Sequence, residues 1–286
     1  MLAGPRPRIV TFLSASEEDD KGAMLVNLGA SLARAGNDVL IVDACQHEYG
    51  VAQRLGVGHG PSLLQVARQQ CALNEVIYQA PQGFGVASMQ RGQGAHSLDA
   101  NEARRLANSF EVLVKQSGIV IVDGEFGSGF NSDVGSDFNI HSGSQFNGDS
   151  ASGFPVPVMA SAEIVVQVST SAASITAAYS LVKRLSQQLG RRPFGILVTG
   201  ASESEAAVVY DNMCAAASRY LAVQLTSMGS VPADEYLQRA ARLGRAVIDA
   251  FPLAGASVAF RQLAGRMAMS SMAHSGRSTG NARSGS

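Results

Sequence analysis

Lys21, Asp43 and Asp123 are the residues of this chain whose types and settings could do chemistry together. A lysine where a helix begins, with carboxylates at the ends of two β-branched runs, is the set that holds a polyphosphate and its divalent cation. The ammonium neutralises phosphate oxygens, and an acid at a strand's carboxyl end orients the metal. Asp43 closes the run from Val39 to Val42, and Asp123 closes the run from Ile119 to Val122. One such aspartate is a weak signal, since any buried strand can end in a turn aspartate. Two of them on one sheet edge with Lys21 say more.

The stretch carrying the lysine reads Ser14-Ala15-Ser16-Glu17-Glu18-Asp19-Asp20-Lys21-Gly22-Ala23. A phosphate-binding loop needs glycines whose backbone N–H groups turn inward, a lysine for the terminal phosphates and a Ser or Thr hydroxyl for Mg²⁺. Only the lysine is present. Glu17, Glu18, Asp19 and Asp20 are expected where a polyphosphate would lie. Two like charges 4 Å apart repel by about 4 kcal/mol at an effective dielectric near 20. Non-glycine residues also resist the positive-φ conformations of such a nest. Acids at a helix N-terminus do satisfy its free N–H groups and its dipole. The loop is therefore expected to be an anion site closed by its own side chains.

These residues need a strand, a helix and further strands to hold them, and the hydrophobic pattern supplies them. Ile9, Val10, Phe12 and Leu13 form a strand, and Leu25, Leu28 and Leu32 recur at helical spacing until Gly36 stops the helix. Strands follow over 39–42, 84–89, 119–123, 162–168, 194–199 and 223–231, with helices over 98–116, 171–189, 203–220 and 234–242. Ser62 is expected to cap a helix carrying Leu63, Leu64 and Val66. A last helix carries Val258, Phe260, Leu263 and Met267. Continuous apolar strands alternating with helices predict an α/β fold with a doubly wound, mostly parallel sheet.

The chain's 286 residues carry a formal net charge of −1 with 46% hydrophobic content, so nothing in its charge points to nucleic acid. Cys45, Cys71 and Cys214 are odd in number and widely spaced. With His47, His59, His96, His141 and His274 standing singly, no Cys/His spacing suggests zinc, and no metal ligand is nominated. Neither a signal peptide nor an apolar run of about 20 residues is present, so a cytoplasmic setting is expected.

A repeat interrupts the fold after Asp123. Gly127-Ser-Gly-Phe130-Asn, Gly135-Ser-Asp-Phe138-Asn, Gly143-Ser-Gln-Phe146-Asn and Ala151-Ser-Gly-Phe154 place phenylalanine at every eighth residue. Rich in Gly, Ser, Asn and Asp, this low-complexity insertion over 126–156 cannot bury enough surface to fold alone. A tolerated surface loop, a stacked β-coil and a partner-binding arm are the readings open to it. The organisation expected is a short lead over 1–7, one domain over 8–269 split by the insertion, and a disordered tail over 270–286.

The landmarks in this order resemble the MinD/ParA family of P-loop ATPases, within the SIMIBI class, and above all its FlhG (FleN, YlxH) flagellar-number-regulator branch. The resemblance rests on LGASLARAGNDVLIVDA, SLLQVARQQCALNEVIYQAPQGFGVASMQRG, AEIVVQVSTSAASITAAYSLVKRLSQQLG and VPADEYLQRAARLGRAVIDAFP. It implies a P-loop NTPase fold whose ATP-dependent dimers bind partners and, through a C-terminal amphipathic helix, the inner membrane. Carried onto this chain, the family pattern places Lys21 at the second lysine of K-G-G-V-G-K-T, Ser16 at its signature lysine and Gly22 at its Mg²⁺-binding threonine. Asp43 matches the first acid of D-x-D, while Cys45 stands at the second, which positions the attacking water. Asp123 matches the metal-orienting acid and Gly127 the glycine after it. Thr199-Gly200 stands where the family has asparagine near adenine.

The resemblance thus implies vestigial nucleotide-site residues Lys21, Gly22, Asp43, Asp123 and Gly127, no catalytic residue and no cofactor. The expected function is a non-hydrolysing scaffold in flagellar assembly or placement. Its partners would be a flagellar GTPase or a basal-body or regulatory protein, a second copy, and weakly a membrane, but no nucleic acid. The alternative is a working ATP-dependent dimerisation switch with an altered loop, taking ATP and Mg²⁺ and serving flagella or another ParA-like positioning system.

Overall fold

The computed structural model describes residues 7–45, 50–58, 60–89, 98–126, 154 and 156–276, except for the side chains of residue 17 and of 270–276. The octad segment 127–153 with Gly127, the tail 277–286, residues 1–6, His47, His59, His96 and His141 lie outside the described residues.

The chain opens with strand β1 (Arg8–Ser14), helix α1 (Lys21–Arg34), strand β2 (Val39–Asp43) and the short helices α2 (Val51–Arg54) and α3 (Leu63–Ala67). Strands β3 (Ile77–Gln79) and β4 (Gly85–Ser88), helix α4 (Ala100–Lys115) and strand β5 (Ile119–Asp123) follow. After the octads come α5 (Pro157–Ser161), β6 (Glu163–Ser169), α6 (Ala172–Leu189), β7 (Phe194–Thr199), α7 (Glu203–Leu221) and β8 (Leu225–Val231). Helices α8 (Glu235–Arg242), α9 (Val247–Ala250) and α10 (Gly255–Gly276) complete the described chain.

The sheet order is β3-β4-β2-β5-β1-β6-β7-β8, parallel throughout except for β3, which runs antiparallel to β4. Period-two alternation divides each apolar run between two cores. Leu40, Val42, Val120 and Val122 face the core under α3, α4, α6 and α7. Val39, Ile41, Ile119 and Ile121 face the other, under α1, α2 and α8 to α10. The doubly wound, mostly parallel sheet expected from the pattern is the one observed.

Local signals set the boundaries. Asp99 caps α4 by accepting from the N–H groups of Asn101 and Glu102, both at 2.7 Å, and Glu102 reaches back to the Asp99 N–H. On α3, Gln65 Oε1 reaches back to accept from the Ser62 N–H at 2.9 Å. Gly36, at φ 86°, turns the chain out of α1.

One expectation at the end of the chain is corrected. Helix α10 continues to Gly276, past Ser270 where a disordered tail was expected, because its alanines, methionines and serines carry no proline to stop it. Phe260, Leu263 and Met267, for which packing on the domain and on lipid were both open, are buried against the domain, and only Val258 of that set is exposed. No helix among the described residues is long and apolar enough to cross a membrane.

Helix α1 lies close on the sheet because Gly29 has no side chain. A Cβ there would come within 2.8 Å of Ile41 Cδ1 and 3.2 Å of the Phe84 ring. Gly29→Ala is expected to be near neutral, since Ile41 can yield and alanine favours helix by about 1 kcal/mol. Gly29→Val overpacks the site and is expected to lower stability by about 2 kcal/mol in urea unfolding.

Candidate functional site: a self-paired lysine at the carboxyl edge of the sheet

Strands β2 and β5 are neighbours and end in register, so Asp43 pairs directly with Asp123. Strand β1 lies on the far side of β5, with Phe12 paired to Asp123, and its loop leads over this edge into α1. The register therefore brings Lys21, Asp43 and Asp123 together.

Lys21 is the first residue of α1, and its Nζ lies 2.7 Å from Asp123 Oδ1. It also lies 3.5 Å from the Phe12 carbonyl and donates to the Gly124 carbonyl. Burial alone would lower the Lys21 pKa, but the charge and hydrogen bond of Asp123, with Cys45 and Glu125 beyond, outweigh it and raise it. Asp123 is fully buried, and its other oxygen accepts from the Val51 N–H at 3.1 Å. Asp43 accepts from the N–H groups of Cys45 at 3.0 Å and Ala52 at 2.7 Å. Burial first, and then the neighbouring Asp123 charge, push Asp43 up to about 7, against the opposing pull of those two N–H groups and Lys21. Gly50 permits the approach of α2, since a Cβ there would lie 2.6 Å from Asp43 Oδ2.

Among the described side chains of the acidic loop, the carboxylates point in different directions. Asp19 turns inward, accepting from Ser14 Oγ at 2.8 Å and from Ser174 Oγ at 2.9 and 3.0 Å. Gln167 Nε2 donates to the Asp19 carbonyl, so the loop is fastened to β6 and α6. Asp20 adopts the left-handed conformation, φ 48°, which the sequence reading took non-glycine residues to resist; aspartate is among the few that tolerate it. It caps α1 through the Ala23 N–H at 3.3 Å and pairs with Arg54. Glu18 is exposed to solvent. Hydroxyls, an arginine and a helix end thus take up the charge that crowding would have made costly.

A cavity of about 490 Å³ opens over the loop. Ser14, Ser16, Asp20, Lys21 and Gly22 form one wall, Cys45, Glu125 and Phe126 another, and Ala177, Leu181 and Arg184 of α6 the third. Cys45 donates to Glu125 Oε1 at 2.7 Å, and burial, then the Asp123 charge, raise its pKa. A protonated thiol therefore occupies the D-x-D position from which the family pattern would direct water. Among the described residues no three His, Cys, Asp or Glu side chains converge as metal ligands.

The residues present fit Mg²⁺-ATP poorly. Gly22 has no hydroxyl, Lys21 is already held by a carboxylate and two carbonyls, and the oxygens of Asp43 are taken by backbone N–H groups. Sequence reasoning missed Glu125, Ser174, Arg54 and Arg184. None belongs to a local motif, and each reaches the site only through tertiary packing.

No protein-family model matches the chain. Its fold is that of the MinD and ParA ATPases. MinD in the MinC:MinD complex of Aquifex aeolicus superposes with a TM-score of 0.63 at 16% identity, over 91% of this chain and 95% of that one. The MinD cell division ATPase of Pyrococcus furiosus gives 0.60 at 17% over 92% and 98%, and a ParA family ATPase of Chlorobium tepidum 0.60 at 14% over 90% and 98%. In sequence, the antiactivator FleN of Pseudomonas aeruginosa is 28% identical over 241 residues, spanning 84% of this chain and 78% of FleN. The chain therefore has the fold of the MinD and ParA ATPases and is similar in sequence to the antiactivator FleN.

Proposed function

We propose that the protein is an FlhG-like regulator of flagellar number or placement that works as a protein-interaction scaffold without hydrolysing ATP. The observation that carries this reading is the Lys21–Asp123 pair at 2.7 Å. The group that would hold phosphate is held by the group that would orient the metal. Ser16, Gly22 and Cys45 in place of the family's lysine, threonine and second acid point the same way. The likeness to the antiactivator FleN supports a regulatory role, and the MinC:MinD complex supports action through a protein partner. A flagellar GTPase, a basal-body protein or a regulatory protein is the partner proposed.

The second reading is an ATP-dependent switch, and the cavity walled by Lys21 and Arg184 is the observation favouring it. In that case the Lys21–Asp123 pair would open when nucleotide enters. Calorimetric titration of the full chain with Mg²⁺-ATP and Mg²⁺-ADP, with phosphate release measured alongside, separates the two. The scaffold reading expects no saturable heat up to millimolar nucleotide and no phosphate above the buffer rate. Saturable binding would replace it with a nucleotide-responsive one.

A further inference from the structure

Strand β8 ends the sheet, and among the described strands it pairs with β7 alone, so its outer edge meets no strand. Helices α7 and α10 pack on opposite faces of the sheet beside it, and between them lies a cleft of about 380 Å³ lined on β8 by Ser227, Gly229 and Ser230. One end of the edge is closed, because the Tyr210 hydroxyl of α7 donates to the Leu225 carbonyl at 3.0 Å. Farther along it is open. A residue in a parallel ladder turns its N–H and C=O to the same side, and its neighbours in the chain turn theirs to the other. The Val231 carbonyl accepts from the Gly200 N–H at 2.8 Å and so faces β7, which turns the main chain of Ser230 into the cleft. The two walls differ in chemistry. Glu203 and Asp211 stand exposed on the α7 side, and neither forms an ion pair among the described residues. The dipole of α7 accounts for an acid in its first turn, such as Glu203, but not for Asp211 in its middle. On the α10 side Val258, 41% exposed, and Ala259 present apolar surface. Arg266 lies over Gly229, where a Cβ would collide with its guanidinium.

We infer that the β8 edge is a docking groove for an extended segment of a partner protein in which basic and apolar residues alternate. Added as the next strand, such a segment pairs with the main chain at Ser230 and continues the pleat, so its successive side chains point to opposite faces of the sheet. Every second residue then meets the α7 wall, where lysine or arginine answers Glu203 and Asp211. The residues between them meet Val258 and Ala259. Glu203 and Asp211 are about 12 Å apart along the helix axis, close to the span of four residues of extended chain, so one strand can address both. Arg266 repels a basic residue placed on the α10 side, and the charge pattern therefore fixes the register as well as the affinity. Strands β6 and β7 separate the groove from β1 and the loop of Lys21, so the inference depends on neither reading of that site.

Fluorescence anisotropy of the full chain with a labelled peptide of alternating lysine and valine tests this. Two controls accompany it: a peptide of the same composition with its lysines and valines in separate blocks, and the alternating peptide N-methylated along its backbone, which keeps every side chain but cannot pair as a strand. Saturable micromolar binding of the alternating peptide is expected, with both controls weaker by about tenfold or more. A Glu203→Gln, Asp211→Asn double variant is expected to weaken the alternating peptide by about tenfold as well, and because both side chains are exposed its melting temperature should stay within about 2 °C of the wild type. Absence of saturable binding would overturn the inference. So would equal binding by either control, which would reduce the contact to charge attraction, or full binding by the double variant, which would place the peptide elsewhere. A dimer in sedimentation that the alternating peptide dissociates would give the groove to a second copy and overturn the occupant named here.

Discussion

Lys21→Ala is expected to lower the unfolding free energy by about 3–5 kcal/mol, because it strips its paired ammonium from Asp123, a carboxylate with no exposure to water. In a lysine kept for phosphate the same change would act mainly on ligand binding. Here the lysine is part of the core, and urea denaturation is the readout. A Lys21→Met, Asp123→Asn double variant is expected to recover more than half of the loss. It removes both charges together, and the asparagine keeps an acceptor for the Val51 N–H. A loss below about 1 kcal/mol in the single variant would mean that the pair is not the anchor described.

The second large effect is in pH dependence. The folded pKa of Asp43, about 7, lies above the ordinary carboxylate value, so the native state binds the proton more tightly than the unfolded chain does. The stability carried by that proton is complete below about pH 4 and is lost as pH rises through about 7. A shift of about three units corresponds to an upper bound of roughly 4 kcal/mol. Asp43 stands in register beside Asp123, whose charge is the second cause of its raised pKa. Asp43→Asn is expected to flatten the dependence, gaining on the wild type by up to about 3 kcal/mol between pH 5 and pH 8 in matched urea curves. Parallel wild-type and variant profiles would show that Asp43 is not protonated in the native state.

Most of the architecture could be read from the chain because it depends on local pattern. β-Branched runs such as Ile119–Val122 declare a doubly buried strand, and Asp99 and Asp234 announce helix starts through their own side chains. The meeting of Asp43 and Asp123 was foreseeable from two strands each ending in aspartate. The disposition of the acidic loop was not. Asp19 is made tolerable by Ser174, 155 residues away, and Asp20 by Arg54 on a four-residue helix, and neither partner leaves a trace in the loop's own sequence. The amphipathic look of the last helix had the same ambiguity, since an apolar stripe does not declare what covers it. Its packing against α1 settles that for Phe260, Leu263 and Met267.

The position of the octads in the strand order has a kinetic consequence. β1 is central, with β5 on one side and β6 on the other. It pairs first with residues near 121 and then with residues near 164, and the octads lie between those two partners in sequence. During synthesis the first strand can find β5, yet it keeps one bare edge until the ribosome has made every repeat and β6 beyond them. Each added octad prolongs that interval by eight residues while hardly changing the equilibrium cost of closure. Growth of the repeat is therefore limited by how long a half-paired sheet survives in a nascent chain, and by aggregation in that window, more than by the stability of the finished domain.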